Sequence, residues 1–180
     1  MKSKNLIITV LAVLLVASLV STAILAIKLN SKSDFLPEAA KPVIAEANSQ
    51  DKLKEKLGES FLYLDANEYT SYVGNLTSSD KGLVLMEDLI FADSSSLNYR
   101  ILFGFEKSAY LTDTKNPSAD KFDKSKIIGE NEITYYLSEA EGKLFLIALA
   151  EWQGNLLVFD FVGLNDEETA FEIIGNTLVR

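Results

Sequence analysis

One uncharged apolar run, residues 6–27, constrains this chain more than any other feature. It is built from Leu, Val, Ile and Ala with a few Ser and Thr, and it contains neither Gly nor Pro. As a helix rising about 1.5 Å per residue, it reaches roughly 33 Å, enough to cross a hydrocarbon core about 30 Å thick. The Ser and Thr hydroxyls can donate hydrogen bonds to carbonyls of their own helix. The run therefore predicts a transmembrane helix.

The charges beside this run indicate its orientation. Two lysines precede it with no acidic residue, whereas the two lysines that follow it are soon joined by acids. Because positively charged flanks tend to stay in the cytoplasm, we expect residues 1–5 to be a short cytoplasmic tail and the chain after residue 27 to lie outside the cell membrane. The alternative is a cleaved signal peptide, which has a shorter apolar region followed by a small-residue cleavage site. Here the small residues lie within the run, which favours an uncleaved anchor.

The charge and composition of the remainder exclude several functions. All 26 Asp and Glu follow residue 33, whereas four of the 17 Lys and Arg precede it. After residue 33, acidic residues therefore outnumber basic ones. Because such a surface repels nucleic-acid phosphates, we expect no nucleic-acid partner. The chain has no Cys, which excludes disulfides and thiol chemistry, and no His, which excludes Ser-His-Asp hydrolysis and imidazole metal sites. We therefore expect no catalytic, cofactor or metal site and a non-enzymatic role.

Residues 28–48 are predicted to be a linker and residues 49–180 a single extracytoplasmic domain. Two prolines, several Ala and Ser, and mixed charge are typical of a tether. A short helix is expected from Gln50 to Leu57, with Ser49 as its N-cap and Gly58 as its C-terminal stop.

Alternating apolar residues after this helix predict a sheet. Strands are expected at residues 69–76, 83–91, 97–105, 132–138, 143–152 and 155–162, with a long loop at 106–125 and a two-residue hairpin at Gln153-Gly154. Asn165 is predicted to cap a final helix, with Glu168 completing a capping box. The expected fold is α+β: an N-terminal transmembrane helix, then an antiparallel sheet of about five to seven strands packed by a C-terminal helix.

Several segments of the C-terminal half also resemble a known family. They are residues 97–100 (LNYR), 133–137, 144–152 ending in Ala150-Glu-Trp152, and 156–163 followed by the acidic start of the final helix. Over about residues 80–178 the chain resembles the bacterial extracytoplasmic domain-of-unknown-function family four-three-six-seven. The segment 107–124 departs from the tyrosine-rich pattern of many relatives.

This resemblance implies an exported domain of the bacterial cell envelope, in some relatives tethered behind a cytoplasmic regulator of a sigma factor. No catalytic residues are established for the family, so none can be transferred to this chain. With five residues before the apolar run, we expect no such regulator on this chain.

Aromatic residues on the predicted strands suggest a ligand groove, for an apolar molecule or a sugar. The alternative is that these rings form the core of the sheet. Arg100 stands on the polar side of its strand, where it is expected to meet either a neighbouring acid or the anion of a ligand. The candidate groove residues are Arg100, Tyr135, Phe145, Trp152 and Phe159.

Other polar patterns favour ordinary solvated charge. The adjacent acids Glu87 and Asp88 point to opposite sides of a strand, and Glu139 and Glu141 stand at a turn, so neither pair predicts acid–base chemistry. Oxygen-bearing residues of the long loop lack the spacing and Gly of a calcium loop. Those residues are Asp113, Asn116, Ser118, Asp120 and Asp123.

Three hypotheses of function follow. The first is a membrane-anchored, extracytoplasmic, non-enzymatic domain that binds an envelope partner or senses the state of the envelope. The second is a carrier of a lipid or other hydrophobic ligand, suggested by the strand at residues 143–152, which is apolar on both sides. The third is a hydrolase that uses carboxylates.

Overall fold

The computed structural model describes residues 43–79, 82–112 and 121–179, which form one antiparallel sheet and three helices. The helices are α1 (Gln50–Leu57), α2 (Lys107–Thr112) and α3 (Glu167–Leu178). The strands are β1 (Val43–Ala47), β2 (Tyr69–Ser79), β3 (Gly82–Phe91), β4 (Ser96–Leu102), β5 (Lys124–Ile128), β6 (Asn131–Ala140), β7 (Lys143–Trp152) and β8 (Asn155–Leu164). The predicted α+β class is confirmed, although the sheet has 8 strands instead of the expected five to seven.

The sheet consists of two groups of neighbouring strands joined at its centre. The strand order is β1-β2-β3-β4-β8-β7-β6-β5, so each group follows the order of the chain and only the β4–β8 pair brings distant segments together. That ladder runs from Ser96↔Val162 to Leu102↔Leu156. The predicted hairpin at Gln153-Gly154 is confirmed, with φ of 49° and 74°, as a two-residue turn between right-twisted strands requires.

Two edge strands lie where the sequence predicted linker and loop. The last residues of the predicted 28–48 linker form β1, which pairs with β2, and the end of the predicted 106–125 loop leads into β5, which pairs with β6. Both strands are short and mostly exposed. A strand exposed on both sides carries little hydrophobic alternation, which explains why the pattern did not reveal them.

The observed helix ends agree with the predicted caps, except at the N-terminus of α3. Ser49 accepts a hydrogen bond from the backbone N–H of Lys52, and Gly58 ends α1, as predicted. At α3 the N-cap is Asp166, whose carboxylate accepts from the backbone N–H of Thr169 at 2.8 Å; the prediction of Asn165 was one residue early. Asn165 instead donates to the Asp93 carboxylate at 2.9 Å.

The predicted anchor, residues 6–27, lies outside the described residues, as do residues 113–120 of the calcium hypothesis. Among the helices that the structure describes, none is long and apolar enough to cross a membrane. In the same part of the chain, no group of three or more acidic side chains is arranged to hold a metal ion.

The main core lies between the sheet and the elements on one side of it, a side we call the helix face. Leu53 of α1 and Ile174 of α3 are wholly buried there. At the centre of the sheet the rings of Tyr99 and Phe159 are 4.9 Å apart. The segment between α1 and β2 covers them, since Tyr99 donates a hydrogen bond to the carbonyl of Leu62 at 3.0 Å.

The described residues cover the opposite side of the sheet, which we call the outer face, only in part. Near α2, a second cluster buries Leu149, Leu156 and Val158 beneath the side chains of Leu111 and Phe122. The rest of this face is not covered by any described helix, and we call it the open region. It comprises Val73, Asn75, Met86, Asp88, Ile90, Asn98, Arg100, Phe145, Asp160 and Val162.

Candidate functional site

The five predicted groove residues lie on both faces of the sheet. Tyr135, Trp152 and Phe159 belong to the helix face. Arg100 and Phe145 belong to the outer face, since they pair with Val158 and Val162. Successive side chains of a strand point to opposite faces of the sheet, and paired residues of adjacent strands point to the same face, so the two groups cannot share a surface. The structure therefore does not bring the five together into one groove.

The three aromatic residues on the helix face make core contacts. Phe159 is wholly buried against Tyr99. The ring of Tyr135 meets that of Phe171 edge-on, with centroids 5.0 Å apart, which joins β6 to α3. Trp152 is partly buried against the same cluster. These are the contacts of a sheet core, which was the alternative interpretation.

The two-sided apolar character of β7 also has a packing explanation. Leu146 and Ala148 are buried in the main core, whereas Leu149, pointing the other way, is buried under the α2 segment. At Leu149 both sides of the strand are thus covered by this chain itself, whereas Phe145 lies in the open region. Packing within the chain therefore accounts for most of the feature that suggested a lipid carrier.

The most buried charged group in the described residues is Glu87, on the helix face of β3. Its carboxylate accepts hydrogen bonds from the backbone N–H of Leu64 at 2.9 Å, the Tyr72 hydroxyl at 2.8 Å and the Gln50 amide at 3.0 Å. Gln50 also donates to the carbonyl of Leu64 at 2.6 Å. The Glu87 side chain thereby ties α1, β2 and the covering segment to β3.

Ionisation in this cluster is governed by burial. Loss of solvent raises the pKa of Glu87, and the three donated hydrogen bonds, helped by the charge of Lys54, oppose the rise. Burial, followed by the nearby Glu87 carboxylate, raises the pKa of Tyr72, so its hydroxyl keeps the proton that it donates. Because all its bonds are to this chain, we interpret Glu87 as a structural residue; the sequence interpretation of it as solvated charge was wrong.

The raised pKa of Glu87 gives a pH dependence that can be measured. A carboxyl that binds its proton more tightly in the folded state contributes its full stability below its unfolded pKa, about 4.3, and loses it as pH rises through the folded pKa. In urea titrations between about pH 4 and 7, we expect the unfolding free energy of wild type, minus that of Glu87→Gln, to fall as pH rises. The carboxyls of Asp93 and Asp166 have lowered pKa values, so their contribution to stability is instead lost as pH falls. They are present in both proteins and cancel in the difference, so a flat difference would contradict the assignment.

The open region gathers polar side chains at the middle of the outer face. Asp88, Asn98 and Asp160 lie in one row across three adjacent strands, and the Asn98 amide donates to the Asp88 carboxylate. The neighbouring row contains Asn75, Met86 and Arg100. Burial raises the pKa of Asp160, and the Arg100 cation acts against that rise. The predicted acidic neighbour of Arg100 is therefore present.

Two polar atoms of this region are buried without a partner. The Nε of Arg100 and the Oδ1 of Asn75 have no hydrogen bond within the part of the chain that the structure describes. They stand two strands apart in one row, about 10 Å at the usual strand spacing. One is a donor and the other an acceptor. Since buried polar atoms are nearly always paired in native proteins, this pair is the strongest sign of a binding site in the structure.

A separate concavity of about 350 Å³ lies between α3 and the β3–β4 turn. Its lining is acidic, but the carboxylates of Asp93 and Asp166 already accept hydrogen bonds from Ser95 and Thr169. These bonds also lower the pKa of both carboxyls. The acids here hold turns and a helix cap, so the concavity has the features of a structural junction.

The fold and the open region together describe a class: an α+β domain in which the described residues pack one face of the sheet and leave the other partly uncovered and polar. Comparison with protein-family models, curated proteins and solved structures finds no match. The resemblance to family four-three-six-seven therefore stays a prediction.

Proposed function

We propose that this chain is a non-enzymatic binding domain, held outside the cell membrane by the helix predicted at residues 6–27, and that the open region is its binding surface. The location rests on the uncharged run and on the acidic composition that follows it. The observation that carries the choice of surface is the unpartnered donor and acceptor pair, Arg100 Nε and Asn75 Oδ1.

A purely structural role for Arg100, as the charged neighbour of Asp160, leaves its buried Nε unexplained. A buried polar atom left without a partner costs about 1–3 kcal/mol, and an apolar residue in the same place would avoid that cost. Leu102, two residues further along β4, shows that an apolar side chain suits this face of the strand. A partner that supplies the missing hydrogen bond would compensate for the cost, and binding is where such a cost is commonly tolerated.

The absence of cysteine from the sequence permits a test with single cysteines in native cells. Val162→Cys places one in the open region, where the valine is 42% exposed, and Glu55→Cys places one on the exposed side of α1 as the control. A membrane-impermeant maleimide should label both in intact cells, because the domain is external. Relative to purified full-length protein, Val162→Cys should react about fivefold or more slowly in cells, since an occupied surface is protected, whereas Glu55→Cys should not change.

Two results would overturn this proposal. Labelling of both variants only after the cells are permeabilised would place the domain on the wrong side of the membrane. Equal labelling rates in cells and in purified protein, for both cysteines, would show that the open region is unoccupied. A similar slowing of both would point to general shielding by the envelope and would also count against a specific surface.

A further inference from the structure

The charges of the open region constrain what it can bind. Arg100 supplies the one cation of the two central rows, and Asp88 and Asp160 supply two anions in the row beside it. An anionic ligand would be repelled by both carboxylates, and a cationic ligand would meet the guanidinium. A neutral ligand avoids both penalties.

The hydrogen-bonding groups of this region are mixed in the same way. Arg100 is a donor only, the Asn75 Oδ1 is an acceptor, and an ionised Asp160 is an acceptor with room for several bonds. A ligand that satisfies all three must both accept and donate within a short distance. A hydroxyl group does both, and neighbouring hydroxyls on one molecule can serve side chains on neighbouring strands.

Apolar side chains surround these polar groups. Met86 lies between Asn75 and Arg100 in their row, and Phe145 pairs with Val162 beside Asp160. Val73 and Ile90, at the far side, are 41% and 48% exposed. A ligand that covers this surface must therefore have apolar C–H groups as well as hydroxyls.

We propose that the open region binds a neutral glycan chain, whose sugar rings combine C–H surfaces with rows of hydroxyls. This inference rests on the proposed function above and names the ligand class of the same surface. The glycan lies across β2, β3, β4 and β8, and the side chains of Arg100 and Asn75 turn toward it, so that it accepts a hydrogen bond from Arg100 Nε and donates to Asn75 Oδ1 and the Asp160 carboxylate. The two atoms, buried before the ligand binds, thereby obtain hydrogen-bond partners that no described residue supplies.

An extended peptide fits this surface less well. Peptides that bind sheets gain most of their affinity by adding a strand at an edge, where backbone groups are free. The open region lies over interior strands, and β3, β4 and β8 are each paired on both sides. A peptide backbone placed there would find side chains alone and would leave much of its own backbone unsatisfied.

Calorimetric titration of the full-length protein tests this ligand class. The protein is held in a zwitterionic detergent without a sugar headgroup and titrated with three neutral tetrasaccharides: tetra-N-acetylchitotetraose, cellotetraose and maltotetraose. We expect at least one of them to bind with a micromolar to millimolar dissociation constant. Arg100→Met and Asp160→Ala should each weaken that binding about tenfold or more, because each removes a hydrogen bond to a charged group. Glu139→Ala, which removes an exposed carboxylate at the β6–β7 turn, should leave it unchanged.

The possible results separate this inference from the proposed function. No heat with any tetrasaccharide, while Val162→Cys stays protected in cells, would overturn the glycan and leave the binding surface standing. Binding that Arg100→Met and Asp160→Ala do not weaken would place the glycan elsewhere and overturn the inference. Tighter binding of tetraglutamate, weakened by salt, would identify an anionic peptide instead. Thermal melting of each variant shows whether it is folded, and if Arg100→Met is not, Asp160→Ala alone decides.

Discussion

Replacing Glu87 by alanine is expected to lower the free energy of unfolding by about 3–5 kcal/mol, among the largest effects that one substitution can have in this domain. The substitution leaves the Leu64 N–H, the Tyr72 hydroxyl and part of the Gln50 amide without their acceptor. It also opens a space at a position that is wholly buried. Urea denaturation at about pH 5, followed by circular dichroism, measures the change, since the contribution of Glu87 falls as pH rises.

The control for this prediction is the next residue of the same strand. Asp88 carries the same charge but lies on the outer face, where it is half-buried and accepts from Asn98. Asp88→Ala should cost no more than about 1 kcal/mol. Tyr72→Phe, which removes one of the three donors and leaves the ring, should cost about 1 kcal/mol. Equal losses for Glu87→Ala and Asp88→Ala would show that burial and hydrogen bonding do not distinguish the two acids.

The sequence did contain a signal for Glu87. In the β3 segment Leu85 and Leu89 share one side of the strand, and Glu87 stands between them on that side. An acidic residue in the middle of an apolar face is either exposed at a sheet edge or buried with partners. Only the strand order resolves this choice, because β3 turns out to be interior and the covering segment supplies its donors.

Local features were predicted well because their causes are local. The α1 helix has its cap and stop within ten residues, and the Gln153-Gly154 turn is specified by two. The long-range β4–β8 pairing has no local cause, and it is this pairing that sets Arg100 near Asp160. The sequence could therefore predict that Arg100 lies on the polar side of its strand, but it could not predict which side chains surround it.

The predicted groove failed for a related reason. Aromatic residues were grouped by their nearness in sequence, but β7 carries them on both sides, whereas those of β8 lie on the helix face alone. Phe145 and Trp152 are separated by an odd number of positions along β7, so they point to opposite sides of the sheet. The decisive signal of the open region, a pair of buried polar atoms without partners, depends on packing and leaves no trace in the sequence.

The second large effect is expected at Gly74, which pairs with Glu87 across the β2–β3 ladder. Replacing a strand glycine by alanine ordinarily stabilises by about 0.5–1 kcal/mol, since glycine loses more freedom on folding. Here a Cβ would lie 2.5 Å from the Tyr72 hydroxyl oxygen and 2.7 Å from Cδ2 of Leu53. Because the hydroxyl is fixed by Glu87 and Leu53 is wholly buried, neither can move freely. We therefore expect the sign to reverse, with Gly74→Ala lowering the free energy of unfolding by about 1–3 kcal/mol.

A double-mutant cycle shows whether this loss arises from the close approach of Tyr72. Tyr72→Phe removes the oxygen that a Cβ at position 74 would overlap, so Gly74→Ala should cost less in the Tyr72→Phe background than in wild type, by about 0.5 kcal/mol or more. Val73→Ala, on the same strand but 41% exposed on the outer face, is the control and should change stability by about 0.5 kcal/mol at most. A stabilising Gly74→Ala would mean that Tyr72 and Leu53 give way to the added Cβ, and strict additivity with Tyr72→Phe would mean that the Tyr72 hydroxyl is not the source of the loss. A stabilising Gly74→Ala would also mean that Glu87 does not hold the Tyr72 hydroxyl in place, and the loss expected for Glu87→Ala would have to be smaller as well.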